Sequence, residues 1–204
     1  MTKTKTKTKT ISKTTKNMKR LLLIFVTMSM IFSAAAQTGK TSNYPKGKRV
    51  LVAYFSATGV TAEAAQKLAN VVNGDLYAIT PATAYSEADL DWRNRQSRSS
   101  LEMRDANARP ELADHKAHVE DYDVVYLGYP IWWYTAPRII NSFVEAYNFT
   151  GKMIVPFATS GGSTIDQSIQ DFSKAYPDYK WTPGLLLNGA TEESIRQTLD
   201  NRIW

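Results

Sequence analysis

The chain contains no cysteine and only two histidines in 204 residues. The absence of cysteine excludes disulfides and a lipid anchor on a mature N-terminal cysteine, and it remains compatible with an oxidising compartment. The shortage of histidine confines imidazole chemistry to His115 and His118, three positions apart in the segment Ala113–Glu120, which is expected to be helical. That spacing suits one helix face, either solvated or holding a metal, and no further ligand set adjoins it. Ser163 likewise has no identifiable His and Asp partners for a hydrolytic triad. Lys and Arg are missing between Val50 and Gln66. The turn in that stretch carries neither a Gly-Lys-Ser/Thr ending nor Gly-x-Gly-x-x-Gly, which argues against ATP, GTP and dinucleotide sites.

Basic charge is plentiful overall, with a formal net charge of +6, but it is unevenly placed. Residues 1–36 hold eight Lys and Arg and no acid, leaving 17 basic against 19 acidic residues in the remainder. The basicity therefore gives no support for nucleic-acid binding, and no basic stripe with interleaved aromatics follows. The first ten residues alternate Thr and Lys, a low-complexity extension ahead of a second possible start at Met18. Met18-Lys19-Arg20, the apolar run Leu21 to Phe32 and Ala34-Ala35-Ala36 then form the pattern of a secretory signal peptide. An uncleaved anchor is the alternative, although the apolar run is shorter than the roughly 20 residues a membrane span needs. The expected organisation is a leader over 1–36, a linker over 37–47 and one domain over 48–204, exported to the periplasm or another extracytoplasmic space without a stable membrane span.

Within that domain short apolar runs alternate with amphipathic segments. Strands are expected at Val50–Phe55, Leu76–Ile79, Val124–Tyr129, Met153–Phe157 and Leu185–Leu187. Besides Ala113–Glu120, helices are expected at Thr61–Val72, Ala136–Tyr147, Thr164–Ala175 and Thr191–Ile203. Alternation of this kind gives a parallel α/β sheet with right-handed crossovers, and ligands of such sheets sit beyond the carboxyl ends of the strands. The stretch from Pro81 to Pro110 is longer than a crossover needs; it is either a surface excursion packing Trp92 and Leu101 or a substrate-binding lid.

Three loops fall at expected strand ends. Ser56-Ala57-Thr58-Gly59-Val60-Thr61 joins a buried strand to a helix. The unpaired N–H groups and dipole of a helix start, with three hydroxyls and a permissive Gly59, make an anion cradle without formal cations. The alternative is an ordinary turn in which Thr61 caps the helix. Tyr129 to Pro137 includes Trp132, Trp133 and Tyr134, aromatics that a flat heteroaromatic ligand would cover. Thr159-Ser160-Gly161-Gly162-Ser163 combines close backbone approach with hydroxyl donors and acceptors.

These three segments, in these positions, resemble the flavodoxin-like family, and specifically its short bacterial FMN-binding branch, over roughly Lys48 to Trp204. The resemblance implies a three-layer α/β fold with a five-stranded parallel sheet in the order 2-1-3-4-5, helices on both faces, and FMN as cofactor. It implies that Ser56, Thr58, Gly59, Val60 and Thr61 hold the phosphate. Pro130, Ile131, Trp132, Trp133 and Tyr134 would flank the isoalloxazine, and Thr159, Ser160, Gly161, Gly162 and Ser163 would line its other side and pyrimidine edge. The flavin itself would be the redox centre. Arg138 is the nearest cation and is expected on the exposed side of its helix.

Electron-carrying flavodoxins are strongly acidic and tend to place a glycine beside the flavin N5. Here the mature charge is near neutral and Pro130 to Pro137 holds no glycine. Both departures favour an oxidoreductase acting on a small-molecule acceptor such as a quinone over a carrier docking a redox partner protein.

Overall fold

The computed structural model describes residues 47–202. The expected leader, nearly all of the linker and the end of the last helix lie outside the described residues. Six strands form one sheet: β1 (Val50–Tyr54), β2 (Asp75–Ala78), β3 (Val124–Pro130), β4 (Met153–Thr159), β5 (Lys180–Trp181) and β6 (Leu185–Leu186). The order is β2-β1-β3-β4-β5, with β6 also on β4, and every pairing is parallel. The 2-1-3-4-5 order expected from the sequence is present.

The edge position is filled by two short pieces where one strand was expected. Lys180 and Trp181 pair with Met153 and Ile154, and further along the same strand Leu185 and Leu186 pair with Phe157 and Ala158. Thr182 keeps one more bond, its N–H donating to the Ile154 carbonyl at 3.0 Å, before Pro183 and Gly184 break the ladder. Gly184 lies so close to the start of the helix Asp166–Ala175 that a Cβ there would meet Ile165 Cδ1 at 2.7 Å and Ile169 Cδ1 at 2.8 Å.

The alternation along the central strands explains the two cores. Val50, Val52, Val124, Tyr126, Val155 and Phe157 point to one face, covered by α1 (Val60–Val72) and the C-terminal helix α6 (Glu192–Asp200). Leu51, Ala53, Val125, Leu127, Ile154 and Ala158 point to the other, covered by α4 (Arg138–Ala146) and α5 (Asp166–Ala175). Both faces are dry, which is why β1, β3 and β4 read as nearly continuous apolar runs. No helix among the described residues is long and apolar enough to cross a membrane.

The long excursion after β2 contains two short helices, α2 (Glu87–Leu90) and α3 (Arg98–Arg104). Ser86 and Asp89 form a reciprocal capping box on α2, and Ser97 accepts from the Ser100 N–H to start α3. The expected helix over Ala113–Glu120 does not form; only a 3-10 turn, Val119–Asp121, occurs there. Its backbone is claimed by side chains instead. Asp114 accepts from the Lys116 N–H at 3.0 Å and from the Tyr77 hydroxyl, and the Ala117 N–H donates to the Tyr147 hydroxyl. His118 sits at φ 45°, so His115 and His118 share no helix face. No cluster of three or more potential metal-ligating His, Asp or Glu occurs among the described residues.

The far end of the excursion is pinned by a bidentate pair. Arg109 Nε and Nη2 donate to the two Glu145 carboxylate oxygens at 2.7 and 2.8 Å, and the Tyr176 hydroxyl donates to Glu145 Oε1 at 2.8 Å. The Arg109 hydrogen bond holds the Glu145 carboxyl below its ordinary value of 4.5. A carboxyl depressed on folding stabilises the protein above the unfolded value, and that contribution is lost as the pH falls through the folded one. At this partly exposed site the pair contributes about 1 kcal/mol. Glu145→Gln should therefore lower the melting temperature by about 2–4 °C at neutral pH. Thermal scans should show the difference shrinking once the pH drops below 4.5.

Candidate functional site

The carboxyl ends of β1, β3 and β4 lie side by side, in register from Tyr54↔Gly128 to Gly128↔Phe157. The three candidate loops therefore emerge together on one rim of the sheet.

The first loop is shaped by its own atoms. Ser56 Oγ accepts from the Gly59 N–H at 3.1 Å, and Gly59 turns the chain at φ 91° into α1 with no side chain capping the helix. Among the described residues the N–H groups of Val60, Thr61 and Ala62 make no hydrogen bond, while Glu63 is the first to bond back, to the Gly59 carbonyl at 3.0 Å. This is an open helix N-terminus of the kind that accepts an anion. The space where a Gly59 Cβ would stand is empty to 4 Å, so a ligand can approach the backbone. Thr58 and Val60 are exposed and Ser56 half-buried. Thr61 does something different: it is 1% exposed, and its hydroxyl lies 2.8 Å from that of buried Thr159. That contact ties the start of α1 to the end of β4, so Thr61 offers its backbone to the rim, not a free hydroxyl.

The second loop is a two-residue turn closed by reciprocal bonds between Trp132 and Thr135, N–H to carbonyl at 2.9 and 3.0 Å. Its central residues, Trp133 and Tyr134, both have positive φ, 45° and 69°. Such turns ordinarily use Asn-Gly or Gly-Gly, and each bulky residue held there costs roughly 1–2 kcal/mol. Strain of this order clusters where a loop is shaped for use. Trp132 is wedged between Phe55 and Tyr85, with ring centres at 5.7 and 5.4 Å and planes near perpendicular. Trp133 and Tyr134 instead stand 44% and 70% exposed. Because the Tyr134 ring has little packing to lose, Tyr134→Gly should stabilise the protein by about 0.5–1 kcal/mol, net of the added chain entropy. Calorimetry should register a rise of roughly 1–4 °C; a fall would mean that the ring carries packing that outweighs its strain.

In the third loop Ser160 is engaged on every side. Its hydroxyl accepts from the Gly162 and Ser163 N–H groups at 3.1 and 2.7 Å. Its backbone is clamped by Asn188, whose side chain accepts from the Ser160 N–H at 2.8 Å and donates to the Ser160 carbonyl. Gly161 and Gly162 face open space. Asn188 was not anticipated; Asn188-Gly189, a turn dipeptide directly after the last strand, is the signal that could have found it.

Two cavities open among these loops. One, about 280 Å³, runs along Ser56, Ala57 and Gly59 and faces Pro81 and Tyr85. The other, about 380 Å³, lies between Ile131–Tyr134 on one side and Leu90, Trp92 and Ser99 of the excursion on the other, with Ser163 also lining it. Neither is lined by Lys or Arg. The excursion thus contributes a wall to the site. It is held there by Tyr85 and Arg98, which bond the two Glu102 oxygens at 2.5 and 2.6 Å, with the Arg98 guanidinium 4.1 Å from the Tyr85 ring centre. Burial, reinforced by the Glu102 hydrogen bond, raises the Tyr85 hydroxyl well above its ordinary range, so it stays a neutral donor. Arg138 corrects an expectation: it is half-buried, its Nη2 donates to the Met103 carbonyl at 3.2 Å, and its Nε is enclosed. The first turn of α4 is covered by α3, and solvent does not reach it as a plain helix face would allow.

A parallel 2-1-3-4-5 sheet, with an uncapped helix start, an aromatic turn and a Gly-Gly loop converging on one rim, defines a doubly wound α/β protein of the flavodoxin-like class. The flavodoxin family profile matches residues 49–202, and the chain belongs to that family. Among solved structures it is similar to a candidate flavoprotein from Bacteroides eggerthii, with 56% identity over 75% of this chain and 96% of that one and a TM-score of 0.73. It is also similar to a candidate flavoprotein from Bacteroides uniformis, with 49% identity over 76% and 100% and a TM-score of 0.74. A flavoprotein from Lactobacillus acidophilus, solved in complex with FMN, shares the fold at 19% identity over 68% and 93%, with a TM-score of 0.57. No curated protein matches the chain.

Proposed function

We propose that this protein is an FMN-dependent oxidoreductase that passes electrons to a small-molecule acceptor such as a quinone. FMN is the cofactor: the open α1 N-terminus and the hydroxyls of Ser56 and Thr58 hold its phosphate, with Gly59, Val60 and Thr61 contributing backbone. Pro130 to Tyr134 flank the ring, and Thr159 to Ser163 line its other side and polar edge. A fold relative binds FMN. Bound FMN supplies a ring able to exchange electrons singly or as a hydride, and the protein sets orientation and electrostatics. With no cation lining either cavity, the site gives no charge stabilisation to an anionic reduced ring, which favours a low potential. We further propose export from the cytoplasm, on the strength of the basic, apolar and Ala-x-Ala pattern of residues 18–36.

The observation that carries the oxidoreductase reading is the cavity of about 380 Å³ walled by the aromatic turn and by the excursion. A walled cavity suits a small molecule, whereas a carrier needs its ring edge open to a protein surface. The test is FMN reconstitution of the full-length protein followed by anaerobic photoreduction in steps. A flavin spectrum that passes directly to the fully reduced form is expected. A long-wavelength band that grows and decays during reduction would assign the protein to single-electron carriers. Failure to acquire a flavin spectrum would overturn the cofactor assignment itself.

A further inference from the structure

We propose that a third cavity, across Trp92 and Trp133 from the one beside the aromatic turn, binds a small planar aromatic acid, one or two fused rings bearing a carboxylate, sulfonate or phosphate. This rests on the flavin reading in one respect, giving the small-molecule acceptor a chemical class, but the binding is separable from that of FMN.

The cavity, about 310 Å³, is lined by Trp92, Arg95, Ser100, Met103, Arg104 and Trp133. Trp92 and Trp133 also line the cavity beside the aromatic turn, so the two spaces share a wall. The volume is at the low end for ligand sites, enough for a ring system with one arm and too small for a dinucleotide. Two indoles offer flat apolar faces, and the Met103 thioether adapts to a ring edge. Both tryptophans are large exposed apolar residues, 62% and 44% open, so a ring placed between them removes apolar surface from water.

The charge has a pattern of its own. Arg98 and Arg109, in the same excursion, are paired with Glu102 and Glu145. Arg95 and Arg104 have no ion-pair partner among the described residues, and they are the two that line the cavity. Arg104 Nη2 donates to the Arg95 carbonyl at 2.6 Å, which fixes its guanidinium at the rim using one of five N–H donors. Arg93 does not line the cavity but lies 4.4 Å from the Trp92 ring centre, adding positive charge behind that wall. In a domain with more acidic than basic residues, unpaired guanidinium groups beside two indoles match a ligand that is both flat and negative.

Isothermal titration of the full-length protein, with and without saturating FMN, against 2-naphthalenesulfonate and uncharged 2-naphthol tests the assignment. The sulfonate should bind in both states and more tightly than the naphthol. Arg95→Gln and Arg104→Gln should each weaken sulfonate binding about fivefold, the upper end for an exposed ion pair, and leave naphthol binding unchanged. Trp92→Ala should weaken both ligands. Equal affinity for the two ligands, displacement of the sulfonate by FMN, or indifference to both arginine substitutions in variants with unaltered melting curves would overturn it. Charge-dependent sulfonate binding by a protein that takes up no FMN would uphold the cavity and remove the flavin reading instead.

Discussion

Thr58→Asp is expected to weaken FMN binding by about two orders of magnitude while leaving the apoprotein as stable as before. In the proposed assignment the first loop would hold the phosphate with amides and hydroxyls alone, since no Lys or Arg lies between Val50 and Gln66. A carboxylate introduced about 6 Å from a phosphate in a surface-like dielectric costs roughly 3 kcal/mol, and no Lys or Arg lines the adjoining cavity to offset it. Thr58 is exposed and makes no hydrogen bond among the described residues, so the substitution breaks no packing. A negative charge just ahead of α1 is, if anything, favourable to the helix dipole. Binding and folding should therefore move independently: fluorescence titration with FMN shows the loss, and the apoprotein melting curve holds or rises slightly. Thr58→Lys should tighten binding in a salt-sensitive way, and Thr58→Ala should cost only about 1 kcal/mol for one neutral donor. Unchanged affinity in both charged variants would move the phosphate away from this loop.

The same loop shows what a sequence conveys and what it withholds. A strand buried on both faces leaves a continuous apolar run, so Val50–Tyr54, Val124–Pro130 and Met153–Thr159 stand out, and the turns after them mark the rim. Lys180–Trp181 has no such run because an edge piece of two residues needs only backbone bonds to β4. The helix expected over Ala113–Glu120 gives way because Asp114 and Tyr147 satisfy that backbone in an irregular path. The excursion resists assignment for a related reason. Helices of four and seven residues are too short to display a period, and only the Ser86–Asp89 capping box carries a local signal.

Within the site, residue types are legible where conformations and distant partners are not. Nothing in Trp133-Tyr134 announces a turn with two positive φ angles, because its usual residues are absent. The Thr61–Thr159 contact spans 98 positions, and the Asn188 clamp on Ser160 spans 28. Both arise only once the sheet has set β1, β4 and β6 in register.

Gly128→Ala should be the most damaging single-methyl change in the domain. Gly128 lies in β3 opposite Phe157 of β4, and a Cβ there would meet Phe157 Cζ at 2.1 Å and both Cε atoms at 2.6 Å. The Phe157 ring is fully buried in the core under α1 and α6, so it cannot swing away into solvent. Overpacking of this kind costs about 1–3 kcal/mol, and rigid aromatic and backbone neighbours favour the upper end. A loss near 3 kcal/mol corresponds to a fall of roughly 6–12 °C in melting temperature. The displaced ring would press on α1, whose start is proposed to hold the phosphate, so FMN affinity should fall along with stability, unlike the separation expected for Thr58→Asp. Phe157→Leu relieves the contact by shortening the side chain. Alone it should cost about 1 kcal/mol of lost apolar burial, but in the Gly128→Ala background it should restore stability. A double-mutant cycle reads this coupling directly. Additive effects of the two substitutions would mean that the core accommodates the methyl by moving β3 itself, and that Phe157 is not the constraint that keeps position 128 a glycine.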